Sequence, residues 1–173
     1  MVGDERARRA ARTRLLWSST AACLWSLVFA VPHFYWAAGG RGGLGAQAAA
    51  ADEALGQSWF FAYNLVVGVL AVAGAATALV LGGRVGVVRM WRPVRGVAWS
   101  ASVVLFVRGA VGMVDLGLQF AGGVLDSPPM LVAIEPWFLL GGYLFASLAR
   151  RAGRERSGAD SSPDSDVPAV APD

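Results

Sequence analysis

Residues 95–120 read RGVAWSASVVLFVRGAVGMVDLGLQF, a run long and apolar enough to cross a bilayer that nevertheless carries Arg108 and Asp115 inside it. A charge at the centre of a membrane helix costs about 2.5–3.5 kcal/mol on insertion scales, so each of these side chains needs protein or water around it. The rest of the chain is therefore read for further spans and for polar partners at matching depth.

Three more apolar runs fit. Residues 15–38 (LLWSSTAACLWSLVFAVPHFYWAA), 59–81 (WFFAYNLVVGVLAVAGAATALVL) and 130–149 (MLVAIEPWFLLGGYLFASLA) each approach or exceed the ~20 residues that span a bilayer. With 96–120 they predict an all-α membrane protein, a bundle of four transmembrane helices within one domain, residues 15–149. Residues 1–14 form a basic flank, and residues 150–173 form a tail of Arg, Ser, Asp and Pro that is predicted disordered. The first run exceeds the 7–15 residues of a signal-peptide core and ends in aromatics, so it reads as a retained helix. The loop at 39–58 starts Gly-rich and turns Ala-rich, which predicts a short helix in its second half.

Composition agrees. Of the 173 residues 55% are hydrophobic and 16% charged, unlike a soluble domain of this length. All 15 basic residues are arginine. They flank the apolar runs, as membrane topology requires, and no nucleic-acid reading module accompanies them. Arg6, Arg8, Arg9, Arg12 and Arg14 precede the first run, Arg84, Arg89, Arg92 and Arg95 lie between the second and third, and Arg150, Arg151, Arg154 and Arg156 follow the fourth. The opposite loops hold Arg41 alone. The positive-inside rule then places both termini in the cytoplasm, in a bacterial inner membrane, with the arginine flanks against anionic lipid. A single Cys23 and a single His33 predict no disulfide, no metal site and no cofactor ligand set.

Depth sorts the polar groups. At ~1.5 Å per residue, Arg108 lies about 20 Å and Glu135 about 22 Å from the inner boundary, so they can meet. His33, Asn64 and Asp115 fall together at about 28–30 Å, which makes Asp115 or Asn64 the expected neighbour of His33. Pro32 and Pro136 adjoin His33 and Glu135 and each removes one helical hydrogen bond. With Tyr35, Trp36 and Trp137 at the rim, these residues outline a polar pocket open to the outer side.

Two motifs in that layer, VPHFYWAAGG at 31–40 and EPWFLLGGYLF at 135–145, carry a resemblance. They are similar to signatures of the small bacterial membrane proteins grouped as domain-of-unknown-function family 3995. The resemblance implies four membrane helices, draws attention to His33, Trp36, Gly39, Gly40, Glu135, Pro136 and Trp137, and supplies no substrate.

Three functions follow as expectations. One is a protein that binds or passes a small molecule through the outer pocket, with Arg108 as an anion anchor, Glu135 and Asp115 as its partners and His33 as the titrating group. The second is an accessory subunit, as a homo-oligomer or with a partner membrane protein, in which the ion pair only joins helices. The third is a membrane enzyme using His33 with a carboxylate; no nucleophile motif, phosphate loop or zinc signature supports it.

Overall fold

The computed structural model describes residues 2–42, 55, 57–85, 91–123 and 129–160. Among the described residues four long helices make up the fold: α1 (Val2–Ala37), α2 (Ser58–Leu81), α3 (Trp91–Ala121) and α4 (Pro129–Asp160). Each is long and apolar enough to cross a membrane. The chain is an all-α, multi-pass membrane protein.

α1 packs most extensively on α2 and α3 on α4, while contact between α1 and α4 joins the two hairpins. Successive helices run antiparallel, so the start of α1 and the end of α4 share one end of the bundle. There Arg151 donates from Nη1 to the Arg14 carbonyl at 2.8 Å. The opposite end carries the turns after α1 and α3.

The terminal half is closed by small side chains. Ala22, Ala78, Ala98 and Ala149 are fully buried, around Trp25, Phe145 and Leu148. Without a hydrophobic drive between helices in lipid, such residues matter because they let backbones approach and expose carbonyls to neighbouring hydroxyls. Ser19 donates to the Ala78 carbonyl at 2.7 Å, joining α1 to α2, and Ser102 donates to the Gly142 carbonyl at 2.9 Å, joining α3 to α4. The small residues of α2 serve the same end: Ala71, Ala75 and Ala78 are buried, and a Cβ on Gly74 would lie 3.2 Å from both Phe145 and the Ser26 hydroxyl.

The helices outrun the apolar segments. α1 absorbs the basic flank, and α4 continues through Arg150, Arg151, Arg154 and Arg156 to Asp160 instead of ending at 149. The reason is tertiary. Ala152 is buried in the same cluster as Leu15 and Ala149, so α4 gains contacts beyond the lipid that an isolated arginine-rich segment lacks. The tail at 161–173 and most of the Ala-rich loop lie outside the described residues. Both α1 and α4 continue as helix through Pro32 and Pro136.

Candidate functional site

Arg108 of α3 and Glu135 of α4 meet as their depths predict. Nη1 donates to Oε2 at 2.7 Å and Nη2 to Oε1 at 3.0 Å, a two-pronged pair in which both carboxylate oxygens are engaged. The two ends differ in burial: the Glu135 side chain is 8% exposed and that of Arg108 49%. Planar guanidinium suits this geometry, because it matches both oxygens at once and stays protonated.

Backbone design makes room for the acid. A Cβ on Gly112 would overlap the Glu135 carboxylate, and one on Gly109 would sit 2.8 Å from Leu139, so two glycines a turn apart on α3 form a notch that receives two residues a turn apart on α4. The guanidinium also lies over the Phe138 ring, 4.9 Å from its centroid.

From Phe138 an aromatic chain leads to α1. Phe138 meets Phe29 edge-on at 5.5 Å; Phe29 contacts the His33 ring at 4.5 Å, and His33 meets Trp36 at 5.5 Å. In the other direction Phe29 stacks on Trp25 at 5.3 Å, and Trp25 stacks on Trp137 at 5.8 Å. The Trp25 indole donates to the Trp137 carbonyl at 3.2 Å, so one ring both packs and pins α4. It can approach because Gly141 has no Cβ to obstruct it. Trp25, Phe29 and His33 are each four residues apart, hence one stripe on α1.

Among the described residues His33 meets no carboxylate. Its ring is buried, and Nδ1 lies 2.8 Å from the Phe29 carbonyl one turn back. Carbonyl oxygen only accepts, so Nδ1 carries the proton and Nε2 of the neutral ring is an acceptor. The expected neighbours have found partners on their own helices: Asp115 is exposed and accepts from Gln119 Nε2 at 2.8 Å, and the buried Asn64 donates to the Phe60 carbonyl at 2.9 Å. Depth brought these residues level, but level residues on different faces do not touch.

The aromatics after His33 fasten the end of α1. Gly39 adopts φ +87°, the left-handed conformation that ends many helices and that a side chain disfavours. The Tyr35 ring covers Gly40 where a Cβ would be, and the Tyr35 hydroxyl accepts from the Gly42 amide at 3.0 Å. Trp36 donates from its indole to the Gly42 carbonyl, also at 3.0 Å.

The described geometry thus unites His33, Trp36, Trp137, Arg108 and Glu135 in one contiguous set through Trp25, Phe29 and Phe138, and leaves Tyr35, Asn64 and Asp115 outside it. Residues 26–145 match the family described as "Protein of unknown function (DUF3995)". The chain belongs to this family. Its matched stretch begins just after Trp25 and ends at Phe145, so it holds the ion pair, both glycine-containing motifs and all of the aromatic chain but Trp25. Neither curated proteins nor solved structures show a match.

Two features escaped the reading from sequence. Gly109 and Gly112 are lost among 22 glycines, and only the partner helix marks them as a notch. The four-residue spacing of Trp25, Phe29 and His33 was visible, but aromatic stripes are common in membrane helices and nothing in the sequence joins this one to Phe138.

Proposed function

We propose that this DUF3995 protein is a non-catalytic membrane protein that binds a small anionic molecule in the outer half of its bundle, with Arg108 as anchor and Glu135 as the group that aims it. The half-exposed guanidinium carries this reading. Among the described residues its hydrogen bonds run through one N–H of each terminal nitrogen to Glu135, which leaves three of its five N–H groups for a ligand. A buried carboxylate on one side and Phe138 beneath fix its direction, so little orientation is lost on binding. His33, Trp36 and Trp137 stand along the adjoining aromatic wall. On this reading both termini lie in the cytoplasm of a bacterial cell, where the arginine flanks meet anionic lipid.

Thermal unfolding of purified protein in detergent, with phosphate, sulfate, acetate and succinate supplied in turn, tests it. A ligand at a hundred times its Kd adds about 2.7 kcal/mol of stability, a readily measured shift in Tm. One of these anions is expected to stabilise the wild type saturably and to leave Arg108→Gln/Glu135→Gln, which keeps a neutral hydrogen-bonding pair, unaffected. Equal stabilisation of both proteins refutes the anchor.

A second reading is favoured by the Gly112 notch: the pair is a clasp that fixes α3 on α4, and the protein is an accessory subunit. Arg108→Gln alone then fails to accumulate in the membrane while the double variant recovers, and no anion stabilises the wild type. The acid–base reading of His33 receives no comparable support, since the ring neighbours observed are Phe29 and Trp36.

A further inference from the structure

At the terminal end of the bundle, the first turns of α3 and the last turns of α4 enclose a cleft of about 1010 Å³. Arg92 and Arg95 line it from α3, and Arg150, Arg154 and Arg156 from α4. Among the described residues no carboxylate lines it.

Five like charges repel, so their shared position needs a cause. Part of it is neutral support. Arg95 donates from Nε to the Ala149 carbonyl at 3.0 Å and lies over Trp91 at 5.6 Å; Arg156 faces the same ring at 5.3 Å. Arg150 donates from Nε to the Ala146 carbonyl at 3.3 Å and lies over Trp99 at 5.8 Å. These contacts hold the Arg95, Arg150 and Arg156 guanidinium groups in place without neutralising them, and an electropositive cleft results.

The same helix faces turn apolar further into the bilayer. Val103 and Phe106 follow Trp99 at helical spacing on α3, Tyr143 precedes Arg150 on α4, and all three are exposed. The cationic cleft therefore adjoins exposed apolar side chains of α3 and α4, with the Trp91 and Trp99 indoles lining the cleft, where membrane proteins place tryptophan at the lipid interface.

We propose that this cleft seats the phosphate of an anionic phospholipid, whose acyl chains run along the exposed Val103, Phe106 and Tyr143 side chains. The proposal rests on the reading that the arginine flanks meet anionic lipid, and adds a defined site to it. The α4 wall lies beyond residue 145, where the family match ends.

The test uses the full chain in nanodiscs of equal phosphatidylcholine and phosphatidylglycerol, with native mass spectrometry of the retained lipid. Wild type is expected to retain phosphatidylglycerol preferentially. Arg95→Gln/Arg150→Gln/Arg154→Gln lowers that preference on the order of a hundredfold, at about fivefold per arginine. Gly96→Phe fills the cleft with every charge intact, because nothing lies within 4 Å of a Cβ at Gly96, and lowers it too. Arg6→Gln/Arg8→Gln/Arg9→Gln removes equal charge from the start of α1, outside the cleft, and is expected to lower the preference less than the cleft triple does. A preference that survives both cleft variants but not the flank variant overturns the site and spares the flank reading; no preference in the wild type overturns both. Displacement of the lipid by millimolar inorganic phosphate would assign the cleft to a soluble anion, and a preference seen only after removal of residues 161–173 would assign it to the acidic tail. Either result overturns the lipid assignment.

Discussion

Gly112→Ala isolates the notch that seats Glu135. In most helical positions the change is favourable, since Ala is about 1 kcal/mol better than Gly in a helix interior. At Gly112 the added methyl would occupy the space of the carboxylate itself, so Glu135 must leave and the two-pronged pair must break. Breaking a buried pair costs about 3–5 kcal/mol; with Arg108 half exposed the lower end applies, and after the gain in propensity the net loss is about 2 kcal/mol. Gly117 on the same helix is the control, because nothing lies within 4 Å of a Cβ there, and Gly117→Ala is expected to gain up to about 1 kcal/mol. Reversible unfolding in mixed detergent, with both variants measured beside the wild type, reads the difference. In a Glu135→Ala background the penalty at Gly112 should vanish, since the methyl then meets no carboxylate. Equal stability of the Gly112 and Gly117 variants, or a Gly112 penalty that survives in the Glu135→Ala background, would refute the notch.

Charge exchange tests the pair from the other side: Arg108→Glu and Glu135→Arg should each lower yield in the membrane, and the double exchange should recover part of it, whereas failure to recover argues against direct contact. Trp25→Ala should be among the most destabilising single changes in the bundle, at about 3–5 kcal/mol, because the indole stacks on Phe29 and Trp137 and donates to α4; Trp25→Phe keeps most of the packing and should lose about 1 kcal/mol by unfolding measurement. Cys23 is buried and should resist maleimide in the folded protein. In a Cys23→Ser background, an impermeant maleimide on intact cells should label Ala121→Cys, at the loop end, and not Val85→Cys, at the terminal end; the reverse pattern would invert the topology.

The fold was legible because a bilayer imposes its rule on composition. Four apolar runs whose arginines gather in the terminal flanks and the second connection read as membrane spans, and α2 keeps nearly the bounds read from sequence. The ion pair was legible too, since depth is a linear function of position along a helix, and only Glu135 lay level with Arg108. His33 shows where that argument stops. Its depth suggested Asp115 or Asn64, yet those side chains bond to Gln119 and to the Phe60 carbonyl on their own helices. Depth is one coordinate; the direction in which a side chain leaves its helix is set by how the helices are rotated against one another.

Sequence by itself thus determined the number of membrane helices, their order and the level of each charge, all of which depend on hydropathy and on the fixed rise of a helix. Tertiary structure alone decided which faces meet: the glycine notch under Glu135, the aromatic chain from Phe138 to His33, and the convergence of Arg92 and Arg95 with Arg150, Arg154 and Arg156 in one cleft. Those arrangements depend on packing between helices in lipid, where small residues and hydrogen bonds decide the fit and the hydrophobic pattern is nearly uniform around each helix.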